Sequence, residues 1–238
     1  MQVNLILLFQ DEFKGHNSRV RLQGRRLNHI LAVHRAVVGD ELSVGVLNDR
    51  IGTGKIRALS QSVLEMDVQL DRLPPSKLPL TVILALPRPK FLKRVLRSIS
   101  SMGVQRIILI NSFRVEKSYW QSPFLSREHL LQQLILGLEQ AGDTILPELL
   151  LKPLFKPFVE DELPGIAAGT VSLVAHPTAA KSCPRGINQP TTLAIGPEGG
   201  FIPYEIEKLA ACGFQPVRIG DRILSVETAV PALIARLF

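Results

Sequence analysis

Along residues 3–72 the apolar positions come in short runs separated by turn formers. Val3–Phe9 is nearly all apolar and reads as a first strand, and Val20-Arg-Leu22 as a short second one. Arg25–Arg35 has a different period: Leu27, Ile30, Leu31 and His34 share one helical face, with Arg25, Arg26 and His29 mostly off it. Glu41–Leu47, Ile51–Leu59 and Val63–Leu70 then alternate or run apolar in strand fashion, with Gly39-Asp40 and Asn48-Asp-Arg50 as turns. A small β-rich domain over residues 1–72 is expected. Leu73-Pro-Pro-Ser-Lys-Leu-Pro79 ends it, because proline fixes φ and removes amide donors.

Over residues 73–238 the pattern changes to alternating strands and helices. Strands are expected at Leu80–Leu86, Arg106–Ile110, Glu148–Leu151, Val171–Ala175, Thr192–Ile195 and Pro216–Ile219. Helices are expected at Pro89–Met102, Arg127–Ala141, Pro203–Cys212 and Glu227–Leu237, with Gly103, Gly142 and Gly213 just past three of them. Pro157–Ala168 reads as a weak helix broken by Pro164 and Gly165. Such alternation predicts an α/β domain with a mostly parallel sheet covered by helices.

Charge adds a partner to this picture. The 238 residues carry a net charge of +7, and the cations fall in acid-free blocks. One lies between Glu12 and Asp40 and holds Lys14, Arg19, Arg21, Arg25, Arg26 and Arg35; the other lies between Asp71 and Glu116 and includes Arg88, Lys90, Lys93 and Arg94. Such blocks suit either a polyanion, most simply nucleic acid, or a solvated basic face. For an RNA surface the favoured residues are Arg21, Arg25, Arg26, His29 and Arg35, extended by Arg88, Lys90, Lys93 and Arg94. Cys183 and Cys212 stand alone, without a CxxC pair or His cluster, so they read as ordinary thiols and no metal site is expected. No run reaches the ~20 apolar residues of a membrane helix, and the N-terminal segment lacks the marks of a signal peptide, so a cytoplasmic location is expected.

The phosphate-loop, GxGxxG, HExxH and GxSxG patterns are all absent; Gly52-Thr-Gly-Lys55 has the wrong spacing for the first. What remains is two glycine-bearing turns after buried strands. Leu193-Ala-Ile-Gly-Pro-Glu-Gly-Gly-Phe201 is one, and Arg218-Ile-Gly-Asp-Arg-Ile-Leu-Ser-Val-Glu-Thr-Ala229 is the other. A residue without a Cβ lets a flat ligand approach the backbone, though a tight βα turn needs glycine equally. Ser225 or Thr228 is placed to cap the last helix, and Ile223 and Leu224 to form an apolar wall. His176, at a strand end, reads as catalytic or as structural.

These two turns, with Leu84-Ala-Leu-Pro87, Glu139-Gln-Ala141, Pro147-Glu148 and Val174-Ala-His-Pro177, resemble the bacterial 16S ribosomal RNA uracil-N3 methyltransferases, the RsmE family of the SPOUT or α/β-knot class. The resemblance covers essentially the whole chain. It implies a C-terminal domain with a trefoil knot, an N-terminal PUA-like RNA-binding domain, a homodimer, and S-adenosylmethionine bound largely by main-chain atoms. The implied product is N3-methyluridine in RNA of the small ribosomal subunit. The cofactor site it implies takes Ala175 and His176 from one strand end, Ile195, Gly196, Glu198 and Gly199 from a second, and Ile219, Gly220, Ile223, Leu224 and Thr228 from a third. The chain departs from the family pattern where Ser225 stands for the usual arginine, where Asp221 stands for a common proline, and where Met102-Gly-Val104 replaces a common Glu-Leu-Gly-Val. Serine cannot supply arginine's bidentate contacts.

Methylating N3 of uridine requires loss of a proton as the methyl arrives. Arg222 is the candidate to stabilise the developing anion, with Glu198 and Glu227 as candidate bases or orienting groups. The rival readings are a non-catalytic RNA-binding protein on the same frame, a knotted methyltransferase with another RNA target, and a nucleotide-metabolising α/β enzyme.

Overall fold

The computed structural model describes residues 4–13, 18–187 and 189–238. Val3 of the expected first strand and Lys14 of the first basic block lie outside these residues. The chain forms two compact units: Met1–Ser76 with Ile135–Leu146, and Lys77–Leu134 with Pro147–Phe238.

The first unit is built on β1 (Ile6–Leu8), β2 (Arg19–Leu22), helix α1 (Gly24–His29), β3 (Glu41–Val46), β4 (Ile51–Leu59) and β5 (Leu64–Arg72). Its sheet has the order β1-β3-β4-β5-β2, with β1 parallel to β3 and the other pairs antiparallel. Alternation along β2 buries Val20 and Leu22 and exposes Arg19 and Arg21. The inward faces meet Leu27 and Ile30 in one core that also holds Leu8, Val44, Ile56 and Met66. The expected helix over Arg25–Arg35 is shorter than its periodicity suggests. After α1 the backbone widens into a π turn over Ile30–His34, and Arg35 ends it in the left-handed region at φ 51°.

The second unit holds β6 (Leu78–Ala85), α2 (Pro89–Ser101), β7 (Val104–Ile110), a helical turn α3 (Lys117–Trp120), α4 (Arg127–Ala141), β8 (Glu148–Lys152), α5 (Phe155–Pro157), α6 (Leu163–Ala167), β9 (Val171–Ala175), β10 (Lys181–Ser182), β11 (Thr191–Ile195), α7 (Pro203–Ala211), β12 (Gln215–Arg218) and α8 (Val226–Leu237). Its sheet is parallel throughout, in the order β10-β12-β9-β11-β6-β7-β8. Val82–Ala85 of β6, Ile107–Ile110 of β7 and Leu193–Ile195 of β11 are apolar on both faces and buried, as a covered parallel sheet requires. In α2, Leu92, Val95, Leu96 and Ile99 are buried at helical spacing; each such side chain contributes on the order of 1.5–3 kcal/mol.

Beyond α1, the structure departs from the sequence reading in further places. The C-terminal part of α4 and the segment after it, Ile135–Leu146, group with the first unit, where the Leu5 amide donates to the Glu139 carbonyl at 3.0 Å. Pro164 does not end the helical stretch: a π turn over Phe158–Glu162 precedes it, α6 restarts at Leu163, and the proline falls in the first turn of α6. β10 was not expected: two polar residues carry no period, and only pairing with β12 makes them a strand. Both cysteines are free thiols, Cys183 buried and Cys212 partly so. No helix among the described residues is long and apolar enough to cross a membrane.

Candidate functional site

In a parallel sheet all strands end at one edge, and ligands bind there where neighbouring strands send their chains in different directions. The order β12-β9-β11-β6 creates such a place. The chain leaves β6 toward β7 and β8, then returns to build β9, β11 and β12 on the other side. At this edge the loops after β9, β11 and β12 and the first turn of α8 enclose a cavity of about 310 Å³, within the range of small-molecule sites.

β9 contributes Ala175, His176 and Pro177; β11 contributes Ile195, Gly196, Pro197, Glu198 and Gly200; β12 and the turn after it contribute Val217 through Gly220 and Arg222 through Ser225. Val226, Ala229 and Leu233 of α8 close the apolar side. Gly196 is required by geometry. A Cβ there would lie 2.9 Å from the Phe201 amide nitrogen and 3.2 Å from the Gly200 backbone, neither of which can move without opening the turn. Gly200 takes φ +72°, which closes the same turn. The His176 amide donates to the Val217 carbonyl at 2.9 Å, tying the first loop to the third. Its Nδ1 shares a hydrogen bond of 3.1 Å with the Thr178 hydroxyl.

Of the residues expected to hold a cofactor, Ala175, His176, Ile195, Gly196, Glu198, Ile219, Gly220, Ile223 and Leu224 all line this one cavity. Gly199 and Thr228 do not. Gly199 faces Arg114, whose guanidinium donates to the Gly199 carbonyl, and the cavity takes Gly200 in its place. The Thr228 hydroxyl is paired with the Ser225 hydroxyl at 3.1 Å. Ser225 occupies the N-cap of α8, but its side chain makes no capping bond; its carbonyl accepts from the Thr228 and Ala229 amides instead.

The three candidate catalytic groups separate. Arg222 is exposed and lines the cavity. Glu198 lines it too, while one of its carboxylate oxygens accepts the Arg88 amide at 3.1 Å, at the start of α2. A carboxylate there complements the free amides of a helix N-terminus. Glu227 is not among the cavity residues. One of its oxygens is buried without a hydrogen bond, and the Arg94 guanidinium stands 4.0 Å away.

The residues expected to hold RNA also divide. Arg25 forks onto Glu139 through two bonds of 2.9 Å, and Glu139 is buried. Arg26 is largely buried, binds Glu12 with both of its terminal nitrogens, and lies over the Phe9 ring. These two arginines therefore have partners inside the fold. Arg21 and Arg35 are exposed, and His29 packs edge-on against His34 with ring centroids 5.1 Å apart. In the second unit Arg88, Lys90 and Arg94 are exposed, and the Lys93 ammonium sits 3.7 Å above the Phe124 ring.

Sequence reasoning passed over Glu205 and counted Arg114 only as a member of the second basic block. Glu205 is 2% exposed and accepts two backbone amides, Ile202 at 3.0 Å and Phe113 at 2.7 Å. It thereby joins the start of α7 to the loop after β7. A Pro203-x-Glu205 start is a legible helix signal, but the second bond comes from a residue 92 positions away. No group of three or more metal-ligating side chains occurs among the described residues.

Residues 74–238 match the family model for an RNA methyltransferase domain. A ribosomal RNA small subunit methyltransferase E from Treponema pallidum (strain Nichols) is 28% identical over 238 residues, covering 98% of this chain and 90% of the relative. The solved structure of a ribosomal RNA small subunit methyltransferase E from Neisseria gonorrhoeae, bound to S-adenosyl methionine, superposes with a TM-score of 0.75 at 21% identity, covering 98% of this chain and 95% of that one. A putative methyltransferase from Legionella pneumophila, in complex with the bound cofactor SAM, gives 0.73 at 23% identity, covering 98% and 96%.

Proposed function

Since the chain belongs to the RNA methyltransferase family, we propose that it transfers a methyl group from S-adenosylmethionine to N3 of a uridine in 16S RNA of the small ribosomal subunit. The observation that carries this reading is the convergence of three strand-end loops and the start of α8 on one cavity. The target follows the name shared by full-length relatives such as that of Treponema pallidum. The residues present suit the cofactor. Gly196, Gly200 and Gly220 put no side chain at the cavity wall, and Val226, Ala229 and Leu233 offer an apolar bed. We also place the protein in the cytoplasm as a homodimer, with the first unit serving as a PUA-like RNA-binding domain.

S-adenosylmethionine supplies a methyl carried on a positively charged sulfur. With that group bound, its methyl would pass to uridine N3 as the sulfur left as a neutral thioether, and the N3 proton would have to go to a base or to water. This chain's task is to place N3 in line and to stabilise the charge that appears as the proton leaves. Arg222, exposed at the cavity, is the group for that charge. Glu198 is the carboxylate at the cavity, and the Arg88 amide fixes its orientation. Glu227, away from the cavity, is better suited to holding Arg94 and the start of α8. Arg222→Ala should lower single-turnover methyl transfer by about a hundredfold at saturating RNA and cofactor, the size of one lost charge-stabilising donor; an unchanged rate removes Arg222 from this role.

The decisive experiment maps methylated nucleosides, by mass, in small-subunit RNA from cells with and without the protein. N3-methyluridine should vanish without it. An unchanged level of that nucleoside defeats the proposed target, and cofactor binding without any transfer would favour the non-catalytic alternative.

A further inference from the structure

The loop between β7 and α3 carries an exposed aromatic on an unusually well-anchored backbone. β7 ends at Ile110 beside Ala85 of β6, at the same sheet edge as the cavity. Three contacts then fix the next residues. The Trp120 indole donates to the Asn111 side chain at 3.0 Å, the Phe113 amide donates to buried Glu205 at 2.7 Å, and the Arg114 guanidinium binds the Gly199 carbonyl, between the cavity residues Glu198 and Gly200. Burying a carboxylate is costly, and Glu205 offsets that cost only by holding these two backbone segments. The side chain so presented, Phe113, is 78% exposed. Its apolar ring gains nothing from water, and of the exposed cations Arg88 and Lys90 follow the end of β6 and Lys117 follows the end of β7, at the same sheet edge.

An aromatic face interleaved with cations is the arrangement that holds an unpaired nucleobase: the ring stacks the base and the cations take the phosphates. We propose that Phe113 is a substrate-positioning residue, the platform on which an unpaired base of the RNA strand stacks as its uridine enters the cavity. This rests on the reading of the cavity as a methyl-transfer site and adds the residue that selects a single-stranded, splayed substrate. A base has a π face whatever its identity, so Phe113 contributes to affinity and orientation, and the cavity reads uracil.

The test uses the full-length protein and small ribosomal subunits from cells lacking it. Phe113→Ala should raise KM for the subunits about tenfold, within the range of one lost base–aromatic stack, while kcat and cofactor affinity by calorimetry stay close to wild type. Phe113→Trp and Phe113→Tyr should restore KM, and Phe113→Leu, equally apolar but without a π face, should not. An unchanged KM in Phe113→Ala, rescue by Leu, or a shift in sedimentation that marks Phe113 as a self-association contact each overturns the proposal. Should the wild-type protein transfer no methyl at all, the methyl-transfer reading fails separately, and filter binding of the same subunits to wild type and Phe113→Ala still decides whether Phe113 stacks RNA.

Discussion

The two acid-free basic runs look alike in sequence and do different things in the fold. In α1 the cations are taken up by the protein: Arg25 by Glu139, and Arg26 by Glu12, the Leu7 carbonyl and the Phe9 ring. At the start of α2, Arg88 and Lys90 remain exposed, and the carboxylate beside them, Glu198, contacts the Arg88 backbone amide. The charge of the first block therefore overstates the cationic surface that the first unit leaves open. A run without acids says only that no acid is near in sequence, and Glu139 reaches Arg25 from 114 residues away.

The sharpest way to break this contrast is Arg26→Ala. The Arg26 and Glu12 side chains are 13% and 15% exposed, so removing the cation strands a carboxylate in a poorly solvated place. Breaking a pair this buried costs about 3 kcal/mol, read as a lower urea midpoint at unchanged slope. If Arg26 served RNA instead, stability would hold and subunit affinity would fall. The second unit should answer in the opposite way. Arg88→Ala with Lys90→Ala should weaken subunit binding by about tenfold, or ~1.4 kcal/mol, and flatten the slope of log affinity against log salt by about 0.7 for each phosphate left unneutralised. Its melting temperature should not move. Arg25→Ala falls between: Glu139 is buried, but the Arg25 side chain is 46% exposed. A loss of about 1 kcal/mol of stability is expected, near the upper end for partly solvated pairs. Equal losses of RNA affinity from Arg25→Ala and from the α2 double variant would erase the distinction between the two runs.

What could be read from the sequence follows the range over which the physics acts. β9 and α4 lie where the periodicity puts them, because burial on both faces of a strand and one face of a helix are local patterns. The turn at Gly196 was legible because that position tolerates no Cβ, whereas a Cβ at Gly220 in the other turn would meet open space. The exchange of Gly199 for Gly200 at the cavity was not, since it depends on Arg114 reaching across from another loop. The same holds for Glu205, for the pairing that makes β10, and for the segment Ile135–Leu146. Each is decided by a contact whose two ends are far apart in the chain, and no window of residues contains both.

The smallest expected effect concerns the turn after α1, where His29 and His34 meet. The Nε2 of His34 is buried with no hydrogen-bond partner. Burial first, and the neighbouring His29 second, hold the His34 imidazole below its ordinary pKa of 6.5. As pH falls below that value the unfolded chain takes up the proton before the folded one does. The unfolded state then binds more protons, so stability falls with pH across the window from 6.5 down to the lowered folded value. Asp67 and Glu160, whose cationic partners hold their carboxyls below their ordinary values of 3.8 and 4.5, respond only at lower pH and do not mask this window. Urea midpoints between pH 7.5 and pH 5.5 should therefore drop slightly for the wild type and less for His34→Gln, which cannot be protonated. The same comparison bears on the two basic runs. A turn that packs its histidines inward loses stability in acid, whereas one that presents them to RNA gains subunit affinity there. If acid leaves the urea midpoint unchanged and tightens subunit binding, the turn after α1 belongs with the cations of α2, and the line between the two runs must be redrawn between Arg26 and His29.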